Sequence, residues 1–302
     1  MRAQLYEQVH LPALSDLVNL HLAAVVPGWA LPAPFLAEHL ERNPGEFVTD
    51  PWVVDRSTLC VTEGHRMLAA AHLLRYGEGP EVAENLRGVG EISWLVFLRD
   101  RDDAAAELLS RVQEDLTTWP VTRVHAHAAG LPKMPLPGIP EAWPHVASAL
   151  AAAGYQPPHR GHREALYGGP LDGAGPPGKL PVTGMTVRLT VGRFGARFSA
   201  MLGGEELGRC ECLTDLDRGG SLPALRGWAE LSEVHVAEGW RNRCIGSWLV
   251  GTVAAWLRLG RRDRVVLAVN EDDEAAGAGR FYRRFGWDVL AREMRPWSRG
   301  MD

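Results

Sequence analysis

Residues 168–184 read GGPLDGAGPPGKLPVTG, a run so dense in glycine and proline that neither a helix nor a strand is expected to pass through it. A break of that kind near the middle of 302 residues points to two folded bodies joined by a linker. The expected division is a first domain at 1–167, the linker at 168–184 and a second domain at 185–302. With 46% hydrophobic and 23% charged residues, each body has the composition of an ordinary globular domain and can bury a core without staples.

The second body alternates in a definite order. Strands are expected at 186–191, at 196–202 and 206–213 as a hairpin about Gly203 and Gly204, and at 228–236. An apolar-rich helix follows at 245–259, a buried strand at 264–269, a helix at 274–285 ended by Gly286, and a strand at 287–294. The first body echoes it. Helices are expected at 15–26, 34–41, 102–116 and 143–153, and strands at 58–63, 67–76, 90–98 and 123–128. EISWLVFLRDRDDAAAELLSRVQEDL at 91–116 lies over ELSEVHVAEGWRNRCIGSWLVGTVAAWL at 230–257, and ALAAAGYQP at 149–157 over RRFGWDVL at 283–290. Internal duplication is the reading of that echo.

Several function classes are set aside early. The formal net charge of −5 gives no overall pull toward nucleic acid, and no apolar run is long enough to cross a membrane. Cys60, Cys210, Cys212 and Cys244 form no paired framework, so a cytoplasmic setting and no metal are expected. His125 and His127 alternate on a strand, and His159 and His162 sit in a polar loop, without the partners a metal site needs.

The most informative segment is LSEVHVAEGWRNRCIGSWLV at 231–250. A strand ends, a turn with Arg241, Asn242 and Arg243 follows, and a helix begins near Gly246. Backbone N–H groups that open a helix lack intrahelical partners and sit at the positive end of its dipole, so they bind anions. Glycine lets the backbone approach closely, and arginine adds charge-assisted contacts. The plain alternative is an ordinary turn with solvated arginines.

RNRCIGS at 241–247 resembles the pyrophosphate signature Q/R-x-x-G-x-G/A of the GNAT acyltransferase superfamily, and FYRRFGW at 281–287 resembles its closing helix motif. The resemblance covers the last 120 residues or so; over the first 165 it is one of element order only. It implies an α/β (α+β) fold of two GNAT-like domains, each a mixed, mostly antiparallel sheet flanked by helices. It further implies acetyl-CoA as co-substrate and an N-acetyltransferase reaction on a small-molecule amine acceptor, in a monomer or homodimer. The cofactor-binding positions it marks are Val234, His235, Val236, Arg241, Asn242, Arg243, Cys244, Ile245, Gly246 and Ser247. Cys244 replaces the first signature glycine, which motivates a second reading as a non-catalytic acyl-CoA-binding or regulatory protein. The family's asparagine before the closing helix is absent, and Asn270 is a substitute. The first copy reads RDRDDAAAELLS at 99–110, without glycine and with Asp102 and Asp103 at the helix start, which makes it a degenerate copy. That plan is shared with the mycothiol synthases.

Acyl transfer to an amine needs a base, because a free alkylamine has a pKa of about 10.4. Strand alternation puts Glu230, Ser232, Val234 and Val236 on one face and Leu231, Glu233 and His235 on the other. The resemblance marks Glu230 as base; Glu233 is the reserve, and His235 has a pKa suited to the task. The alternative is a pair of solvated carboxylates at a strand end. Tyr282 is the acid that the resemblance places near the leaving sulfur. Its position off the face shared by Phe281 and Phe285 suits a role outside the core. An N–H near Val236 is the implied oxyanion donor.

Overall fold

The computed structural model describes residues 2–42, 46–127, 130–133, 138–157, 163–175, 177–294 and 297–300. His159 and His162 lie outside the described residues. The chain forms two compact units, Met1–Glu164 with Ala291–Asp302, and Ala165–Leu290. Both are mixed α/β, with mostly antiparallel sheets flanked by helices.

The first unit begins with β1 (Ala3–Leu5), α1 (Leu11–Ala23), α2 (Ala33–Glu41), β2 (Val53–Glu63), β3 (Arg66–Tyr76) and β4 (Val89–Phe97). It continues with α3 (Asp102–Thr118), β5 (Arg123–Ala126), β6 (Ile139–Pro140) and α4 (Pro144–Ala152). Every residue of β4 is buried, as expected of a strand whose two faces are both covered. Its pairing with β3 is antiparallel and with β5 parallel.

The second unit is built from β7 (Arg163–Pro170), β8 (Thr186–Val191), β9 (Ala196–Leu202), β10 (Glu205–Leu213), β11 (Trp228–Val236), α5 (Ile245–Leu259), β12 (Arg264–Asn270), α6 (Glu271–Ala276), α7 (Ala278–Arg283) and β13 (Asp288–Met294). Its strands lie in the order β13-β7-β12-β11-β10-β9-β8. Helix α5 buries Ile245, Leu249, Val250, Val253, Ala254 and Leu257 against that sheet, which accounts for its apolar spacing. β8 passes to β9 through a tight turn closed by Gly192 N–H donating to Gly195 O at 2.7 Å. No helix intervenes there.

The fold departs from the sequence expectation in several places, among them the unexpected short strands β1 and β6 and the start of α1 at Leu11. Residues 168–170 are the end of β7, and Leu171, in the turn that follows, is buried. The helix expected at 274–285 starts at Glu271 and is broken into α6 and α7 at Gly277, whose φ of 114° no ordinary helical residue adopts. A further strand, β14 (Trp297–Gly300), follows β13 and pairs antiparallel with β5 of the first unit. The sheet of the first unit is therefore ordered β1-β2-β3-β4-β5-β14. β14 thus joins the first unit's sheet from the far end of the sequence, while β7 precedes the linker and lies in the second unit's sheet.

Candidate functional site

The site begins as a fork between two parallel strands. β11 pairs with β12 at Trp228↔Arg264, Ala229↔Val265 and Glu230↔Val266 and no further, while its other edge stays paired with β10 as far as Val236. From Leu231 onward the edge facing β12 is open. The register with β10 slips from Glu211↔Glu233 to Cys212↔Leu231, so Ser232 is the extra residue of a β-bulge.

The bulge corrects the simple alternation read from the sequence. Ala229 and Leu231 before it, and Val234 and Val236 after it, all pack on the same core. Glu230, Glu233 and His235 are therefore left on the opposite face, and Glu230 does not share a face with Val234. The backbone phase is set by Ala237 N–H, which donates to Leu207 O at 2.9 Å on the β10 side. Because successive residues of a strand point to opposite edges, Val234 and Val236 turn N–H and C=O into the open fork.

At the mouth of the fork, α5 presents its N-terminus. It has no side-chain cap and no acidic residue in its first turn, so the amides of Ile245, Gly246 and Ser247 keep their capacity to bind an anion. Trp248 N–H starts the helical ladder by donating to Cys244 O at 2.9 Å. Arg241 Nε donates to Val236 O at 3.3 Å, and the Arg243 guanidinium lies 4.9 Å from the centre of the Trp240 ring. Asn242 and Cys244 both hold positive φ, 61° and 60°. Gly246 does not, and a Cβ built on it would meet Val236 at 3.4 Å and Phe281 at 3.5 Å, ordinary contacts. The position whose backbone asks for glycine is the one occupied by Cys244, which is exposed.

The candidate side chains fare differently. Glu230 stands at the vertex of the fork, half-buried, and accepts from Ser232 Oγ at 3.4 Å. Glu233 accepts two hydrogen bonds from Arg209, at 2.8 and 2.5 Å, with Arg197 at 3.8 Å. The bonds from Arg209 hold its carboxyl below the usual range, which weakens it as a base. Tyr282 is buried, 7% exposed, in the core cluster, so the expectation that it lies outside the core is corrected. The reason is that α7 is short and embraced on two sides, by Tyr167 of β7 at 5.9 Å and Trp287 at 6.0 Å between ring centres. Burial, with Cys210 and Asp273 adding to it, pushes the Tyr282 phenol well above its ordinary value. Asn270 caps α6, its Oδ1 accepting from Asp273 N–H at 2.8 Å and its Nδ2 donating to the Asp273 carboxylate at 2.7 Å.

Sequence reasoning missed the bulge and Tyr167. The bulge has a signal, the repeated triplets EIS at 91–93 and ELS at 230–232. Tyr167, whose hydroxyl donates to the Glu274 carboxylate, lay at the margin of the segment taken for a linker and carried no signal. Among the described residues no group of three or more His, Cys, Asp or Glu side chains is placed to hold a metal, and no helix is long and apolar enough to cross a membrane.

Residues 191–287 match the Acetyltransferase (GNAT) family. No curated protein matches the chain in sequence. Among solved structures, a tandem GNAT protein from the clavulanic acid biosynthesis pathway is similar at TM-score 0.63 and 14% identity, over 99% of this chain and 97% of that one. A GCN5-related N-acetyltransferase from Sphaerobacter thermophilus is similar at TM-score 0.61 and 16% identity, over 99% and 96%. A GCN5-related glucosamine N-acetyltransferase region of a fungal multi-domain beta-N-acetylglucosaminidase gives TM-score 0.63 at 11% identity, over 98% of this chain and 38% of that chain. At these identities the likeness is one of fold.

Proposed function

We propose that this chain, a tandem GNAT acetyltransferase-family protein by its fold and by the family match over 191–287, transfers an acetyl group from acetyl-CoA to the amine of a small molecule, in its second unit. The observation that carries the reading is the fork between β11 and β12 with an uncapped, acid-free helix N-terminus at its mouth. The residues present suit the cofactor: amides at 245–247 with Arg241 and Arg243 for the pyrophosphate, and the open backbone edge at Val234 and Val236 for the pantetheine amides, His235 turning its backbone to β10 instead. Acetyl-CoA supplies the activated acyl group.

The protein's own part is proton handling and charge stabilisation. Glu230, at the vertex, takes the proton that an alkylammonium must lose. The N–H groups of Val234 and Val236, directed into the fork, are donors for the developing oxyanion. Tyr282 keeps its proton firmly. A phenol above 10 is a weaker acid than a thiol near 8.5, so Tyr282 serves the leaving sulfur as a hydrogen-bond donor more than as a full proton source, a modest contribution. Asn270 remains the proposed substitute for the family's asparagine, acting through the cap that orients α6.

Glu230→Gln tests the assignment. It should lower kcat by about 10²–10⁴-fold with acetyl-CoA affinity nearly unchanged, measured by thiol release over a panel of amines. Unchanged kcat in this variant removes Glu230 from the role. Wild-type protein that binds acetyl-CoA yet releases no thiol with any amine supports the non-catalytic acyl-CoA-binding reading that Cys244 suggests.

A further inference from the structure

The two units share a finer feature than their element order. In the first unit the β3–β4 register slips from His72↔Trp94 to Leu73↔Ile92, leaving Ser93 as the extra residue, as Ser232 is in the second. Counting on from the bulge, Leu95 corresponds to Val234 and Phe97 to Val236. The backbone phase agrees: Leu98 N–H donates to Leu68 O at 2.9 Å, the counterpart of Ala237 N–H to Leu207 O. Leu95 and Phe97 therefore turn their N–H and C=O toward β5. The parallel pairing of β4 with β5 stops at Ile92↔Ala126, so a fork opens here too.

In this unit the fork is filled. Leu95 N–H donates to His127 Nε2 at 3.0 Å, and Phe97 O lies 3.2 Å from His145 Nε2. His127 is fully buried and Phe97 packs edge-on against His145, with ring centres 4.7 Å apart. The tautomers follow from the partners. Accepting from Leu95 puts the His127 proton on Nδ1. His21 Nδ1 lies 2.9 Å from Leu17 O and must donate, so its Nε2 is an acceptor, and His145 Nε2, 3.3 Å away, carries the proton it shares with Phe97 O. Trp143 wedges between His21 and His127, at 5.3 and 6.2 Å, and donates from Nε1 to His21 O at 3.1 Å. His127 also holds a φ of 57°, a conformation that strains a non-glycine residue and survives only where its surroundings enforce it.

We infer that the first unit carries a built-in substitute for the thioester arm: the imidazoles of His127 and His145 occupy the backbone hydrogen-bonding positions that the arm takes in the second unit, so the first unit binds no acyl-CoA and the chain takes a single equivalent. The inference rests on reading the second unit's fork as the thioester site. Two further observations agree with it. The space beside His145, lined also by His21, Phe97, Arg99 and Trp143, is 280 Å³, under the roughly 300 Å³ at which ligand pockets begin. Asp102 and Asp103 occupy the first turn of α3, where a pyrophosphate would need positive potential.

Residue-resolved amide hydrogen exchange on the full chain tests the inference, with rates corrected for intrinsic exchange. In ligand-free protein the Leu95 amide should exchange at least about tenfold more slowly than the Val234 amide, since one is hydrogen-bonded and the other open. Acetyl-CoA should protect Val234, leave Leu95 unchanged and titrate to a single equivalent. His127→Ala should speed Leu95 exchange without altering Val234; where that variant fails to fold, the wild-type comparison decides. Equal rates at the two amides in free protein, or two equivalents of acetyl-CoA bound, would overturn the inference. A protected Leu95 beside a Val234 that acetyl-CoA leaves open would uphold the filled fork and count instead against the thioester reading of the second unit.

Discussion

Cys244 sits where the local backbone is left-handed, φ 60°, at the entrance to α5. A side chain with a Cβ costs about 1–2 kcal/mol there, whereas glycine adopts the conformation freely. Cys244→Gly also enlarges the unfolded ensemble, which costs about 0.4–1 kcal/mol. The strain is the larger of the two, so this variant should be slightly more stable than wild type in urea unfolding and bind acetyl-CoA at least as tightly by calorimetry. Weaker binding would mean that the loop has adapted to its cysteine. Much at this scale was legible: the signature marked the turn, and the missing glycine marked the residue under strain. Glu233 was not legible as a clamped carboxylate, because Arg209 and Arg197 reach it from other strands. The depth of Tyr282 was equally hidden, because Tyr167 comes from a strand more than 100 residues earlier in the sequence.

At the scale of elements, the order of strands and helices followed from periodicity, but the two facts that make a fork did not. A bulge shifts the phase of a strand without changing its composition, so residues 228–236 read as simple alternation while Ser232 divides them into two frames. In the first unit histidines lie at the corresponding fork, against Leu95 N–H and Phe97 O. His21 on α1 and His127 after β5 are held neutral: burial, opposed in part by the bond to Leu17 and reinforced by His145 and Arg99, lowers His21 to about 4, and burial lowers His127 to about 3. Burial, with Arg56 and His39 nearby, does the same to His72 of β3 at about 3. Burial, reinforced by Arg99, lowers His145 as well, while the bond to Phe97 and the charge of Asp102 act against it. In the unfolded chain these rings protonate near 6.5. Their contribution to stability is thus fully present above about pH 6.5 and is lost as the pH falls toward 4, because the unfolded state takes up protons first. The urea midpoint of the first unit should drop over that window, and His72→Gln should flatten the slope; a midpoint independent of pH between 6.5 and 4 would contradict the neutral, buried assignment.

Over the whole molecule, the family resemblance and the internal echo pointed to two units, while the path of the chain, with residues 291–302 returning to the first unit, stayed hidden. No local pattern tells which sheet a short strand joins. β14 is four residues long and its Trp297 is 5% exposed in the first unit. Removing residues 295–302 should cost the first unit about 3 kcal/mol, the loss expected for a buried tryptophan, and should speed amide exchange along β5 while leaving the open edge of β11 unchanged. An unaltered β5 would show that the strand is dispensable. A fragment starting at Met185 lacks β7, the neighbour of β12 and β13, and should fail to unfold cooperatively.

The placement of β7 before the linker and of β14 at the far end of the sequence has a consequence for biosynthesis. As a ribosome releases the chain, the earlier unit waits for residues 291–302 before its sheet can close. Limited proteolysis in the 177–184 loop would leave two pieces that each hold a strand of the other's sheet, so a nick need not release two domains. Truncation within that loop therefore removes β7 from the sheet of the second unit.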